Sequence, residues 1–259
     1  MTTSKSTQHI APKRIVIKLG GSMLEGLNDD FFANFKNLQD AGNEQIIVHG
    51  GGPAINKALA QNGVTSTTVN GFRVTSAEAI HIVQSTLVGQ VNPTLVHQLN
   101  KSGIAAIGLS GYDVNLLECT ILDEETYGFV GEIKKVNSSL LETLLGNGIT
   151  PVISCFGCTE DGEPLNINAD TVASKVALAI NAHSLQFVTD TPGIKIEGQV
   201  QQVVTSSAIS AWIASGKIYG GMIPKVNAAL DCLDSSIPSV QIVNEQLQGT
   251  TILQQEVYV

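Results

Sequence analysis

Short apolar runs of strand length alternate with segments of helical periodicity along most of this chain. The run at 14–19 (RIVIKL) has the length and composition of a buried strand, and the run at 45–49 (QIIVH) repeats them. Between the two runs, Asn28 is a candidate helix N-cap, and Phe31 and Phe35 recur at helical spacing. Such alternation is typical of a mostly parallel open sheet with a layer of helices on each face. The sequence therefore predicts an α/β fold, a three-layer αβα sandwich.

The same criteria extend the pattern to the end of the chain. Further strands are predicted at 104–109, 150–155, 185–190, 239–243 and 250–253. Further helices are predicted from Pro53 to about 62 and over 75–100, 138–146, 170–182, 206–215 and 222–234, with a disturbance at Pro93. Residues 112–136 interrupt the pattern and indicate antiparallel hairpins. No composition break marks a linker, so we expect a polar tail (1–13) and a single domain spanning 1–259. Its N-terminal lobe (about 14–165) and C-terminal lobe (about 166–259) would share one sheet.

The charge and the hydropathy pattern exclude several classes of protein. Lys and Arg number 14 against 23 Asp and Glu, which gives a net charge of −9. This balance argues against non-specific nucleic-acid binding, which needs a basic face, but not against a small anionic ligand. No apolar run approaches the ~20 residues of a transmembrane helix, and the polar start of the chain lacks the apolar core of a signal peptide. We expect a cytoplasmic protein that binds neither nucleic acid nor membrane.

Four cysteines, at positions 119, 155, 158 and 232, form no dense disulfide framework, so reduced thiols are expected. Cys155 and Cys158 make a C-x-x-C motif, but the chain has no second pair for zinc and no clear helix start after the motif. The spacing leaves a redox or metal role open without favouring it.

Glycine-rich turns follow the first two predicted strands. Lys18, Gly20 and Gly21 end the first strand, and His49 with Gly50–Gly52 ends the second. Ligands bind beyond the carboxyl ends of strands in an open parallel sheet, and helix N-termini behind glycine turns offer free N–H groups to anions. Either turn alone is compatible with a purely structural role, whereas two such turns with an interior lysine favour an anion cradle. His49 is interpreted as hydrogen-bonded to backbone, with proton transfer as the alternative.

The motifs of the common nucleotide-binding folds are missing. The sequence has no G-x-x-x-x-G-K-[ST], no G-x-G-x-x-G after the first strand, and no H-R-D or D-F-G set. Lys18 precedes its glycines, which reverses the order of a P-loop. Phosphate chemistry in this chain would therefore belong to another architecture.

Three charged residues lie at predicted helix starts or turns. Asp170 opens the helix at 170–182, where it either suits the helix dipole or holds a lysine in place. Lys225 lies near the start of the helix at 222–234, where its charge opposes the dipole, so it is either a solvated lysine or a ligand contact. Arg73 either binds a carboxylate bidentately or fixes its own loop through a salt bridge.

The motifs of this chain resemble those of the amino acid kinase family. They are, in order, KLGGS, VHGGGPAIN, NGFRVT, GLSGYD, LNINADT, VTDTPGI and GGMIPKVNAAL. The resemblance runs from about residue 14 to the C-terminus. The motifs HGGGPAIN and NGFRVT are similar to those of the family members that phosphorylate N-acetyl-L-glutamate. It implies the carbamate kinase-like fold of the family, with the acyl amino acid on the N-terminal half and ATP on the C-terminal half. The implied reaction is Mg²⁺-assisted phosphoryl transfer from ATP to the γ-carboxylate, a step of arginine biosynthesis.

The resemblance also implies roles for individual residues. Lys18 and Lys225 would bind the transferring phosphoryl group from its two sides, and Asp170 would organise both lysines. Arg73 would pair with the α-carboxylate of the substrate, and Gly51, Gly52 and Asn166 would contact the same molecule. The phosphates and the rest of ATP would be bound by Gly20, Gly21, Asp190, Thr191, Pro192, Gly193, Ile194, Lys195, Lys217, Ile218 and Tyr219. Tyr219 departs from the threonine of the family motif. No protein metal ligands are expected, because Mg²⁺ would be held by the phosphates.

The resemblance leaves two alternative functions open and also implies an oligomeric state. Another family member acting on glutamate or an N-acyl-aminoadipate is the nearest alternative, and a non-catalytic nucleotide-binding protein is the second. Retention of Lys18, Lys225 and Asp170 argues against the second. In the family that this chain resembles, the arginine-inhibited members are hexamers with an extra helix ahead of the first strand. Here about 13 polar residues precede the first strand. We therefore expect a homodimer that is insensitive to arginine.

Overall fold

The computed structural model describes residues 12–255, so most of the predicted polar tail lies outside the described residues. The strands are β1 (Arg14–Leu19), β2 (Glu44–His49), β3 (Thr68–Val69), β4 (Phe72–Arg73), β5 (Ala106–Leu109), β6 (Leu117–Ile121), β7 (Gly131–Val136), β8 (Thr150–Ser154), β9 (Phe156–Cys158), β10 (Pro164–Asn166), β11 (Ser184–Val188), β12 (Lys195–Ile196), β13 (Gln199–Val200), β14 (Val203–Thr205), β15 (Val240–Val243) and β16 (Gly249–Leu253). The helices are α1 (Gly21–Leu24), α2 (Asp29–Asp40), α3 (Gly52–Gln61), α4 (Ala77–Thr86), α5 (Asn92–Lys101), α6 (Glu124–Tyr127), α7 (Ser138–Gly146), α8 (Ala169–Ala179), α9 (Ser206–Ala214) and α10 (Met222–Asp234).

Eight strands form the central sheet, in the order β14-β16-β15-β11-β1-β2-β8-β5. All neighbours pair in parallel except β15 with β16. Leu19 at the end of β1 is in register with His49 of β2 and Val188 of β11, and His49 is in register with Ser154 of β8. The carboxyl ends of four strands therefore lie side by side at one edge, and the prediction of a mostly parallel open sheet is confirmed.

Helices cover both faces because successive strand residues point to opposite sides. Val16 packs into a core with Val176 of α8, whereas its neighbour Ile17 packs into a second core with Phe35 of α2. The predicted N-cap of α2 is present, since Asn28 Oδ1 accepts a hydrogen bond of 3.1 Å from the backbone N–H of Phe31. The predicted three-layer sandwich is therefore confirmed.

The long helix predicted at 75–100 consists of α4 and α5 joined by a π-helical turn at Leu87–Val91. The disturbance predicted at Pro93 is present as this turn, which ends two residues before the proline. Proline lacks an N–H and its ring crowds the carbonyl four residues earlier, so the hydrogen-bond ladder widens there. The helix begins at Ala77, after Ser76 caps it by accepting from the N–H of Ala79 at 3.2 Å.

Smaller sheets complete the fold. The hairpin predicted within 112–136 is confirmed as antiparallel β6 and β7, which extend into a second sheet of order β10-β9-β6-β7. The sequence patterns missed β9, β10, the edge strand β14 of the central sheet, and the short hairpins β3–β4 and β12–β13. None of the helices between residues 12 and 255 has the length and apolar character that a membrane crossing requires.

Candidate active site

Two glycine turns pack main chain against main chain at the ends of β1 and β2. A Cβ on Gly21 would lie 2.6 Å from the Gly52 nitrogen and 2.8 Å from Pro53 Cδ, so only glycine fits. Gly51 is less confined, because the nearest atom to a Cβ there, at 2.6 Å, would be Cδ2 at the end of the Leu87 side chain of the π-helical turn. No side chain caps α3, which starts at Gly52, so its first N–H groups remain available to a ligand. This geometry supports the predicted anion cradle.

A cavity of about 250 Å³ opens beside the two turns. Many of the site residues expected from sequence line this one space: Lys18, Gly20, Gly21, Gly51, Gly52, Arg73, Asn166 and Asp170. Its wall also includes residues that sequence reasoning did not single out, among them Ile55, Leu87, Val130 and Cys155. The structure thus brings the glycine turns together with one lysine, one arginine and one aspartate.

Lys18 and Asp170 form an ion pair in this cavity, with 2.8 Å between Nζ and Oδ1. Asn168, not Asp170, caps α8 by accepting from the N–H groups of Asp170 and Thr171 at 2.8 and 3.2 Å. The carboxylate of Asp170 is therefore not used as a helix cap. Its Oδ1 is buried and, within the described part of the chain, faces Lys18 without a further donor, so this carboxylate oxygen can still accept a second cation.

Lys225 pairs with a different carboxylate from the one expected. Its Nζ lies 3.0 Å from Oδ1 of Asp190, and this contact lowers the pKa of the Asp190 carboxyl. Lys225 lies on α10 and Asp190 lies just beyond β11, so the loop after that strand supplies the partner. Asp170 consequently contacts only Lys18 in this conformation, and the expected joint contact with both lysines is absent.

Of the residues expected to bind ATP, Gly20 and Gly21 line the cavity and the other nine do not. They are Asp190, Thr191, Pro192, Gly193, Ile194 and Lys195 in one segment and Lys217, Ile218 and Tyr219 in another. Lys217 pairs with Glu197 at 3.0 Å, and Tyr219 is 77% exposed. The side chains of Ile194 and Ile218 are buried in the core, so only their backbone groups could meet a ligand.

Arg73 points its guanidinium along the cavity wall. Its Nη2 donates to Asn56 Oδ1 at 2.6 Å and its Nη1 to Ser66 Oγ at 3.3 Å. No carboxylate of residues 12–255 lies within ion-pair distance, so the salt bridge considered from sequence is not found. Burial lowers the pKa of this guanidinium, because desolvation disfavours the charge. A carboxylate ligand would supply the missing counter-charge.

Asn166 is linked to the same loop. Its Nδ2 donates to Thr75 Oγ1 at 3.0 Å, and that hydroxyl donates to the carbonyl of Arg73 at 2.9 Å. Asn166 thus connects β10 with β4, and the two residues line the cavity together.

His49 is buried behind the second glycine turn, and its expected bond to backbone is confirmed. Nδ1 lies 2.9 Å from the carbonyl oxygen of Gly50, and Nε2 lies 2.9 Å from Nδ2 of Asn92. Burial lowers the pKa of His49 to about 4, so the ring is neutral at physiological pH. Sequence reasoning missed Asn92; the available signal was an amide placed among the apolar positions of a helix, directly before a proline.

The C-x-x-C cysteines face different surroundings. Cys155 is fully buried beside Lys18 and Asp170, and burial raises the pKa of its thiol. Cys158 lies on β9 near Cys119, and burial raises its thiol pKa as well. Within the described chain all cysteines are free and no three His, Cys, Asp or Glu side chains cluster as metal ligands.

Comparison with known proteins agrees with this fold. The model of the amino acid kinase family matches residues 13–244, and the chain belongs to that family. Within it, an acetylglutamate kinase of Halalkalibacterium halodurans is 42% identical over 253 residues, covering 94% of this chain and 97% of that protein. The solved structure of smu.665 from Streptococcus mutans UA159 is 36% identical with a TM-score of 0.83, covering 93% of this chain and 99% of that one. Giardia carbamate kinase, at 17% identity and a TM-score of 0.66, shares the fold over 95% of this chain and 100% of its own.

Proposed function

We propose that this protein is an acetylglutamate kinase, a phosphotransferase of arginine biosynthesis that uses ATP to phosphorylate the γ-carboxylate of N-acetyl-L-glutamate. The observation that carries the proposal is the cavity in which Arg73, the two glycine turns and the Lys18–Asp170 pair line one space. The acetylglutamate kinase relative that is 42% identical over nearly the whole chain supports the same reaction. It gives no support to glutamate or N-acyl-aminoadipate as the preferred substrate.

The substrate carboxylate needs no general base. A carboxyl of this type has a pKa of about 4.3 and is already ionised at neutral pH. One of its oxygens attacks the γ-phosphorus of ATP, while the bond from that phosphorus to the β,γ-bridging oxygen breaks. ADP leaves with the electron pair, and N-acetyl-L-glutamyl 5-phosphate forms.

What the protein must supply is positioning and compensation of charge between two anions. Arg73 and Asn166 would hold the substrate, with the guanidinium on its α-carboxylate. Lys18 and the N–H groups of Gly21, Gly51 and Gly52 would face the transferring phosphoryl group. Mg²⁺ would arrive on the ATP phosphates and reduce their charge.

The second lysine would act from the other lobe. In this proposal the lobe at about 14–165 binds the acyl amino acid, and the lobe at about 166–259 binds ATP through the segments at 190–195 and 217–219. Lys225 would exchange Asp190 for the phosphoryl group once ATP is bound, and Asp170 Oδ1 has the capacity to contact it there.

The expected homodimer has one supporting feature. β5 ends the central sheet, and Ile107 on this strand is 40% exposed. A second copy at this edge would cover this side chain. Light scattering would test the assembly, and a hexamer, or inhibition by arginine, would contradict the expectation.

The activity is tested by measuring ADP release with ATP and Mg²⁺ in the presence of N-acetyl-L-glutamate, glutamate or N-acetyl-aminoadipate. We expect the highest kcat/KM with N-acetyl-L-glutamate, and a kcat about 10³-fold lower for Lys18→Met, which controls for a contaminating kinase. An equal or higher value with either alternative would overturn the substrate assignment. ATP binding without turnover on any of them would favour the non-catalytic alternative.

A further inference from the structure

We propose that His49 and Asn92 form a buried positioning pair that holds the Gly50–Gly52 turn in the conformation required for phosphoryl transfer. The inference rests on the proposed function and extends it to two residues that do not line the cavity. Neither side chain would touch substrate or nucleotide. Both would act through the backbone of the glycine turn.

The hydrogen bonds define one arrangement of protons. A carbonyl oxygen only accepts, so the 2.9 Å contact with Gly50 requires the proton on His49 Nδ1. His49 Nε2 is then the acceptor for Asn92 Nδ2, whose second N–H reaches the carbonyl of Val152 on β8 at 2.9 Å. His49 is 0% and Asn92 6% exposed, so water cannot replace these partners without opening the core. The chain of bonds joins α5, β8 and the glycine turn.

The π-helical turn places this pair and contacts the glycine turn a second time. The backbone N–H of Asn92 bonds to the carbonyl of Leu87, five residues back, which closes the wide turn. Leu87, at the start of the wide turn, packs against Gly51, and Asn92, directly after it, bonds to His49. Two side chains from one wide turn thus restrain consecutive parts of the same loop. Successive residues of an α-helix are rotated by about 100°. If this turn were ordinary α-helix, Leu87 and Asn92 would therefore point in different relative directions, and they could not both reach the glycine turn.

Gly108 on β5 leaves the space that Asn92 occupies. A Cβ on Gly108 would collide with Asn92 Oδ1.

Single substitutions can separate the bonds. Asn92→Asp keeps the shape but places an oxygen opposite two acceptors, His49 Nε2 and the Val152 carbonyl. His49→Asn retains a donor near Gly50 but loses the acceptor for Asn92, whereas His49→Gln does the reverse. Asn100→Asp is the matched control, since Asn100 also lies on α5 and bonds to the backbone of Ala106 at 3.0 and 3.1 Å, but not to the glycine turn.

We expect Asn92→Asp to lower kcat about 10²-fold, because displacement of a positioning group by about 1 Å has effects of this size. The Kd for ADP, which lacks the phosphoryl group that faces the glycine turn, should stay within about twofold, and Asn100→Asp should change kcat by less than about threefold. The two His49 variants should lower kcat in the same direction, which keeps the test decisive if Asn92→Asp does not fold. Equal kcat in Asn92→Asp and Asn100→Asp, or losses of kcat that merely follow the thermal midpoint, would overturn the proposal.

NMR spectroscopy tests whether His49 and Asn92 hold the glycine turn without an enzyme assay. The ¹⁵N spectrum of His49 should show the neutral Nδ1–H tautomer, and the amide signals of Gly50–Gly52 should move in Asn92→Asp but not in Asn100→Asp. An Nε2–H tautomer, or unmoved glycine signals, would refute the positioning pair. If the wild-type protein failed to phosphorylate N-acetyl-L-glutamate, the proposed function would fall, while these spectra would still decide whether the pair holds the turn.

Discussion

Replacing Lys18 by methionine removes one charge from the cavity and leaves its shape nearly unchanged. In the structure Lys18 projects from the end of β1, its side chain is 18% exposed, and its ammonium lies 2.8 Å from Asp170. On the proposed mechanism this ammonium faces the phosphoryl group as it passes between two anions. The substitution therefore tests charge compensation directly.

The size of the effect follows from the burial of the side chain. A largely buried charge acts through an effective dielectric constant of about 20, so a unit charge about 4 Å away contributes about 4 kcal/mol. That loss of transition-state stabilisation corresponds to about a 10³-fold fall in kcat. Folding should suffer moderately, because the Asp170 side chain is 43% exposed but its Oδ1, the atom that faces Lys18, is buried and loses its counter-charge. We expect a cost of about 1–3 kcal/mol, or a fall in Tm of about 2–12 °C.

Steady-state kinetics with N-acetyl-L-glutamate and MgATP, combined with thermal unfolding, measures both quantities. Lys36→Met is the matched control, because Lys36 forms an exposed ion pair with Asp40 on α2 at 3.4 Å. The control should keep wild-type kcat. A Lys18→Met enzyme with kcat within about tenfold of wild type would refute the charge-compensation mechanism.

Three further results are expected. Arg73→Lys should raise the KM for N-acetyl-L-glutamate about 10- to 100-fold in steady-state assays, since lysine lacks the bidentate fork, and an equal rise in the KM for ATP would contradict the assignment. Burial lowers the pKa of His49 from 6.5 to about 4, so only the unfolded chain binds this proton as pH falls through that interval. The free energy of unfolding should therefore decrease from about pH 6.5 towards about pH 4, by up to about 3 kcal/mol, and denaturant titrations of His49→Gln should lack this component. The contact with Lys225 lowers the pKa of Asp190, so Lys225→Met, which removes this contact, should raise that pKa. An unchanged carboxyl ¹³C titration would show that the pair does not form in solution.

The fold was predictable where local signals are strong. β1 and α10 have the bounds expected from sequence, and α2 begins where Asn28 caps it. Apolar runs, caps and turn glycines act over a few residues, so the sequence displays them directly. The strands β9 and β10 have three residues each, too few for a periodic pattern, and their pairing depends on distant partners.

The site residues also divide into those that the sequence predicts and those that it does not. Lys18, Gly21, Asp170 and Arg73 stand out because polar and glycine residues follow apolar strands or open helices, where parallel strands deliver them to one edge. Asn92 did not stand out, since its role depends on the rotation that the π-helical turn introduces. The partner of Lys225 was also not predictable, because it depends on how α10 is placed against the loop after β11. Such placement is a property of the packed molecule and not of any short segment.

The contact between Gly21 and Gly52 limits how this site can vary. The atoms that a side chain on Gly21 would meet include the main-chain nitrogen of Gly52, which every residue type possesses. A smaller neighbour cannot compensate for the loss of this glycine, as it could in an ordinary core. Second-site suppressors of Gly21→Ala would therefore have to displace an entire turn. In a saturation library, position 21 should return only glycine, whatever else is randomised around it.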